Sequence, residues 1–358
     1  MPSVYRESFK MKKINSYVIY SAGETGRQAA DLLLEKNQRV LAIFDRNPKV
    51  SNYSGVDVLR INEWTRPSNM EEISCINAIH NHYIDPKPID DDLKAVGFGE
   101  VLNMVEFSKL WPFPDKYWLS SSFSYDSRLP QLERLLPLLA DDLSKRVLSD
   151  TWGYWSRGAL QLCPEPSLYD EYVPTDVPRY PEVLRLIDCG ASNGSTLTRL
   201  AKAGYQLEAA LAFEPDPVNF KKLLAKTNDF NLMPLPLGLW SSEMQLSFAA
   251  NSDNSLASGL DAGGATLIQC ASLDSVAINF NPNLIKFDIE GSELEVLHGA
   301  KNLVCKYRPN LCVSVYHRPG DPLDILDLLA SWDLGYQFYL RCHEYNTYGL
   351  VLYCISEK

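Results

Sequence analysis

Twice in this chain a short apolar strand runs directly into a glycine turn and then into a helix, and that repeated passage restricts the fold more than any other feature. Residues 17–20 enter Ser21-Ala22-Gly23-Glu24-Thr25-Gly26, and residues 28–34 then place apolar side chains at helical spacing. Residues 183–187 enter Asp188-Cys189-Gly190-Ala191-Ser192-Asn193-Gly194, after which residues 195–203 read as a helix. Such passages belong to parallel sheets with helices on their faces. Around the first turn the alternation continues through strands at 39–44, 56–59, 75–80 and 101–105, with a helix at 91–96. Around the second it continues through strands at 207–213, 284–287 and 311–316, with helices after the first three of that block. Two final strand-like runs, 336–340 and 350–355, are joined by a polar loop and read as an antiparallel edge.

The fold class expected is therefore α/β. A C-terminal Rossmann-like sheet, mostly parallel with an antiparallel C-terminal edge, is accompanied by a smaller N-terminal Rossmann-like domain. The expected organisation is a tail at 1–13, a small α/β domain at 14–110, a helical spacer or cap at 111–180 and the larger domain at 181–358. A chain of 358 residues, 46% hydrophobic and 22% charged, has the length and apolar content for two cores. The spacer contains a leucine-rich helix at 129–148 and several aromatics (Trp152, Tyr154, Trp155, Tyr169, Tyr172) that either line a substrate cleft or, the favoured reading, pack between two domains.

Charge and cysteine usage exclude several functions. A net charge of −11 repels phosphate backbones and anionic lipid, so neither nucleic acid nor membrane is an expected partner. The eight cysteines contain no C-x-x-C pair, which argues against a zinc ribbon and against a disulfide framework. No run is long enough to span a bilayer and no cleavable leader is evident, so a cytoplasmic protein is expected; a homo-oligomer stays open.

At the first turn, Asp45 ends the following strand, which is the context of a dinucleotide fingerprint, but serine occupies the first glycine position. A nicotinamide oxidoreductase is thereby disfavoured; binding of another nucleotide or sugar nucleotide and a purely structural turn remain. His80 and His82 share a strand face without a matching carboxylate, so no metal pair is expected there.

The second turn satisfies neither G-x-G-x-x-G nor a phosphate loop. It leaves a bare backbone beside a helix N-terminus that can receive a carboxylate, and Glu214 at the tip of the next strand can accept from both hydroxyls of a ribose. S-adenosylmethionine has that layout. Four stretches in order, IDCGASNGSTL, AFEPDPVNF, ASLDSV and LIKFDIEGSELEVLHGA, resemble the FkbM-type family of S-adenosylmethionine-dependent methyltransferases, over residues 183–317. The resemblance implies that Asp188, Gly190, Ala191, Asn193 and Gly194 form the cofactor turn and that Glu214 holds the ribose. It also implies that Asp216 and Asn219 lie near the adenine, although helix capping explains Asp216 equally well and Asn219 better. Trp240 either stacks on a base or faces the core, and the core is favoured.

At the reacting end, Asp288 closes an apolar strand, Glu290 and Gly291 open a helix, and His317 follows the next strand. Methyl transfer asks the site to align an acceptor and exclude water, so Asp288, Glu290 or His317 would orient the acceptor or take its proton. Glu293 is explained by the helix dipole. Many relatives have a glutamate two residues before this histidine, where Val315 stands here, so no carboxylate couple for His317 is expected. No third ligand accompanies Asp288 and Glu290, so no metal is expected. The implied function is O-methylation of a sugar or another small-molecule or glycan-linked polar acceptor. Its rivals are a nicotinamide oxidoreductase and a catalytically silent sugar-nucleotide-binding module.

Overall fold

The structure is a computed structural model that describes residues 14–113, 117–120, 122–249, 259–260 and 266–357. The expected N-terminal tail lies outside these residues. The described chain forms two compact units: residues up to 113 with 119–120, 122–123 and 153–163, and residues 117–118, 124–152 and 164–357.

In the first unit, β1 (Ser16–Tyr20), α1 (Glu24–Glu35), β2 (Val40–Phe44), β3 (Asn52–Tyr53), β4 (Val56–Leu59), β5 (Ile73–Asn77), α2 (Pro86–Ala95), β6 (Glu100–Asn103) and α3 (Met104–Leu110) follow in order. The sheet runs β3-β4-β2-β1-β5-β6, parallel except for the β3–β4 pair. Val18, Ala42, Phe44, Ile73 and Cys75 form its core. The run at 101–105 does not stay extended: Asn103 accepts from the backbone N–H of Val105 and Glu106 while Glu106 reaches back to the N–H of Asn103, a reciprocal cap that starts α3.

The leucine-rich stretch at 129–148 is not one helix. It divides into α4 (Leu129–Leu135), a single 3₁₀ turn at Leu136–Leu138 and α5 (Asp142–Arg157). Pro137 has no N–H to give and its ring opposes the preceding turn, so the helix ends. Leu139 then bridges to Phe338.

The second unit continues with β7 (Val183–Cys189), α6 (Ser195–Lys202), β8 (Gln206–Phe213), α7 (Pro217–Leu224) and β9 (Leu232–Leu235). Next come β10 (Gly238–Leu239), β11 (Met244–Ala249), β12 (Gly259–Leu260) and β13 (Thr266–Ala271), a small side sheet that periodicity does not reveal. The chain closes with α8 (Leu273–Val276), β14 (Leu284–Phe287), α9 (Glu293–His298), α10 (Lys301–Tyr307), β15 (Asn310–Ser314), α11 (Asp321–Ser331), β16 (Tyr336–Cys342) and β17 (Leu350–Ser356). The main sheet runs β16-β17-β15-β14-β7-β8-β9, with β17 antiparallel to both its neighbours and the other pairs parallel. The expected mostly parallel sheet with an antiparallel C-terminal edge is the one observed.

Strand order reverses between β7 and β14. In open α/β sheets ligands bind outside the carboxyl ends of the strands at such a switch point, because the two flanking loops diverge there to opposite faces. The turn at Asp188–Gly194 and the segment at Asp288–Gly291 leave from that point.

Among the described residues, no helix is long and apolar enough to cross a membrane.

Candidate active site

The turn after β7 is held by its neighbours rather than by its own side chains. The N–H groups of Gly190 and Ala191 both donate to the carbonyl of Phe213 at the end of β8, at 3.1 and 2.9 Å. Gly190, Ser192 and Gly194 all have positive φ. The reason for Gly190 differs from the bare backbone expected: a Cβ there would land on the carbonyl oxygen of Asp288, so glycine is required because two strand-end loops touch. Asn193 accepts from the N–H of Ser195 at the start of α6, and Ala191 is buried.

Glu214 points into this turn. Its Oε2 accepts from the N–H of Ser192 at 2.7 Å and its Oε1 from that of Asp216 at 2.9 Å. Burial raises its pKa, and those two N–H groups oppose the rise. Each oxygen keeps a second lone pair, so the carboxylate retains acceptor capacity for a diol. Asp216 is 1% exposed and its Oδ1 accepts from the N–H of Val218 and Asn219, so it caps α7, one of the two roles its position offered. Asn219 is buried on that helix. Trp240 packs on the small cluster of Ile268 and Cys270, as the core reading expects.

Beneath the turn lies a residue that sequence reading passed over. Lys286, in the middle of β14, is 3% exposed; its Nζ donates to the carbonyl of Gly190 at 2.6 Å and stands 3.3 Å from Asp188 and 3.6 Å from Asp288. Asp188 is fully buried beneath the turn that it was expected to shape. Burial raises the Asp188 pKa despite Lys286. For Lys286 burial acts to lower the pKa, but Asp188 and Asp288 outweigh it and the ammonium is held charged. The available signal was a lysine inside an otherwise apolar strand.

Asp288 leaves β14 with its side chain about a quarter exposed, and its Oδ2 accepts from the hydroxyl of Tyr172 at 3.0 Å. Burial would raise its pKa, but Lys286 and then His317 reverse this and hold it low. Of the spacer aromatics, Tyr172 therefore reaches the site; Trp152, Tyr154 and Trp155 are buried, and Tyr169 is exposed. Glu290 and Gly291 do not open a helix as expected. Both have positive φ and form a tight turn, and α9 begins two residues later.

His317 is not a solvent-facing loop residue: its side chain is 1% exposed. Its Nδ1 lies 2.8 Å from Glu293 Oε1, while Nε2 lies 3.6 Å from Asp288 Oδ1 and 3.7 Å from Glu290 Oε2. Glu293 does more than complement a helix dipole; it is fully buried and supplies the carboxylate couple that Val315 cannot. Burial favours a neutral ring, but Glu293, then Glu290 and Asp288, outweigh it and push the pKa up to about 10. Burial pushes Glu290 up to about 7. The partly exposed rings of Tyr316, 4.2 Å from the imidazole, and Tyr117, 6.0 Å from it, stand beside His317.

The first turn is self-contained by comparison. Asp45 accepts from the N–H of Ala22 and of Asn47, so its carboxylate is spent on the turn, and Ser21 has φ 98°.

Residues 188–338 match the family described as Methyltransferase FkbM domain. A hexuronic acid methyltransferase, AglP, of Haloferax volcanii is 33% identical over 134 residues, covering 35% of this chain and 54% of that protein, so the chain spans about half the length of this curated relative. A crystal structure of a methyltransferase FkbM from Methylobacillus flagellatus KT shares the fold, with a TM-score of 0.77 over 96% of this chain and 90% of its own, at 23% identity. By the order of its motifs, residues 188–338 of this chain are similar to the FkbM-type methyltransferases, and the solved neighbour shares the fold.

Proposed function

We propose that this protein transfers a methyl group from S-adenosylmethionine to a hydroxyl oxygen of a sugar or sugar-like acceptor. The observation that carries the reading is the convergence, at the switch point of one sheet, of a ribose-competent carboxylate, Glu214, with an acidic cluster, Asp288 and Glu290. Bound there, S-adenosylmethionine supplies an electrophilic methyl on a sulfonium. Glu214 would hold the ribose hydroxyls of the cofactor, and Asp288 and Glu290 would complement the positive charge of its sulfonium. The aromatic rings of Tyr117 and Tyr316 offer flat apolar faces of the kind that pack on sugar rings, and the relationship to a hexuronic acid methyltransferase supports a sugar acceptor.

The balance of charge selects the base. His317 carries its proton up to about pH 10 and cannot accept another at neutrality, whereas Glu290 is poised near 7. Glu290 therefore takes the acceptor's hydroxyl proton as the oxygen–carbon bond forms and the sulfur–carbon bond breaks, leaving a neutral thioether. His317, anchored by Glu293, orients Asp288 and Glu290.

Isothermal titration with S-adenosylmethionine, followed by transfer of labelled methyl to neutral sugars and uronic acids, tests the proposal. Glu214→Ala should weaken cofactor binding by about 100-fold, the loss of two charge-assisted hydrogen bonds. Wild-type protein that does not bind S-adenosylmethionine sinks the reading.

The base assignment has its own signature. The acidic limb of kcat/KM should rise with pH through about 7 and be absent in Glu290→Gln, with activity down by a factor of about 10² to 10⁴. A limb that survives in that variant assigns the proton to another group.

A further inference from the structure

We infer that Asp288, Glu293 and His317 form a binding site for a divalent first-row metal ion. One ligand atom from each residue lies within 4.8 Å of the other two. The independent observation is which atoms lack partners. Asp288 commits Oδ2 to the Tyr172 hydroxyl, and Glu293 commits Oε1 to the N–H of Ile289 at 2.8 Å. Asp288 Oδ1, Glu293 Oε2 and His317 Nε2 are buried and make no hydrogen bond among the described residues, whereas His317 Nδ1 is paired with Glu293 Oε1 at 2.8 Å. Buried polar atoms without partners are uncommon, and an unseen ion is one of the few explanations for several of them meeting in one place.

The spacing agrees with this. His317 Nε2 stands 3.6 Å from Asp288 Oδ1, too long for a hydrogen bond. Two atoms each about 2.1 Å from a common ion are separated by roughly 3 to 4 Å. The donor set, one imidazole and two carboxylates, suits Mn²⁺ or Zn²⁺ better than Mg²⁺, which prefers oxygen ligands alone. The ring proton of His317 is the competing occupant. The surrounding carboxylates stabilise either one, and a double charge gains more from them than a single charge. In sequence the third ligand was hidden because Glu293 is separated from His317 by the whole of α9, α10 and β15; the fold brings it back. An ion here would lie at the acceptor end of the site, where it would bind the acceptor oxygen. That role rests on the methyl-transfer reading, but the site itself does not.

The test uses the full chain, stripped with a chelator and titrated with Mn²⁺ while the EPR signal of free ion is followed. One Mn²⁺ per chain is expected, with a nitrogen coupling in pulsed EPR from His317. Glu293→Gln and His317→Gln should each weaken binding at least tenfold. The absence of stoichiometric binding, a bound ion without nitrogen coupling, or unchanged affinity in both variants overturns the inference. If either variant does not fold, the nitrogen coupling of the wild type decides alone. Calorimetry with S-adenosylmethionine, run separately, keeps the two ideas apart. Cofactor binding without Mn²⁺ binding removes only the ion, and Mn²⁺ binding without cofactor binding removes only methyl transfer.

Discussion

Gly190→Ala is expected to cost the second unit about 3 kcal/mol or more and, on the proposed methyl-transfer reading, to abolish S-adenosylmethionine binding. Two penalties combine. The backbone there has φ 76°, which an L side chain adopts at a cost of about 1 to 2 kcal/mol. The added methyl also meets the carbonyl oxygen of Asp288 and lies 2.9 Å from Ile289 Cγ2, so the loops after β7 and β14 must separate. Gly204→Ala isolates the first penalty, because Gly204 has φ 89° and open space around it. That control should lose only about 1 to 2 kcal/mol and bind cofactor normally. Urea unfolding and calorimetry on both variants make the comparison, and equal losses at the two glycines would show that the contact between the loops carries no weight.

Gly190 illustrates how the sequence was informative and where it stopped. Strand, glycine and helix in succession located the turn, because local backbone preference is written in consecutive residues. The sheet followed for the same reason: β7, β14 and β15 are largely apolar runs, interrupted at only a few positions such as Arg185 and Lys286, and β14 and β15 are buried along their whole length, as strands covered on both faces are. The partner of Gly190, the carbonyl of Asp288, was not legible, since it depends on how two loops far apart in the chain approach. The same limit hid the Glu293–His317 couple. A carboxylate near the start of a helix has a sufficient local explanation, and nothing local shows that its side chain turns inward to an imidazole. Asp216 is the converse case: capping, which the sequence offered beside a ligand role, is visible in the two N–H groups at the start of α7 that it accepts from. The break at Pro137 was within reach, because a proline inside an otherwise helical pattern is itself a stop signal.

Lys286 is the residue whose loss should matter most, and its effect has a sign that can be worked out. Lys286→Met keeps the volume and apolar stem but leaves Asp188 without its cation in a site with no exposure at all. Removing one partner of a buried pair typically costs about 3 to 5 kcal/mol. At about 2 to 4 °C per kcal/mol for a unit of this size, melting should fall by roughly 6 to 20 °C. The Asp188 pKa is already raised by burial and rises further once the ammonium is gone. A carboxyl whose folded pKa lies above its unfolded value penalises folding only once it must ionise. The deficit of the variant should therefore be smallest near pH 4 and grow as pH rises toward neutrality. Asp188→Asn added to Lys286→Met should restore at least half of the loss at pH 7, since the orphaned charge is then gone. The double-mutant cycle measures that coupling directly. A deficit independent of pH, or a double variant no more stable than Lys286→Met, would show that Lys286 acts by anchoring the carbonyl of Gly190 rather than by neutralising Asp188. In either case the ammonium holds the turn that faces Glu214, so on the proposed reading S-adenosylmethionine affinity and stability should fall together.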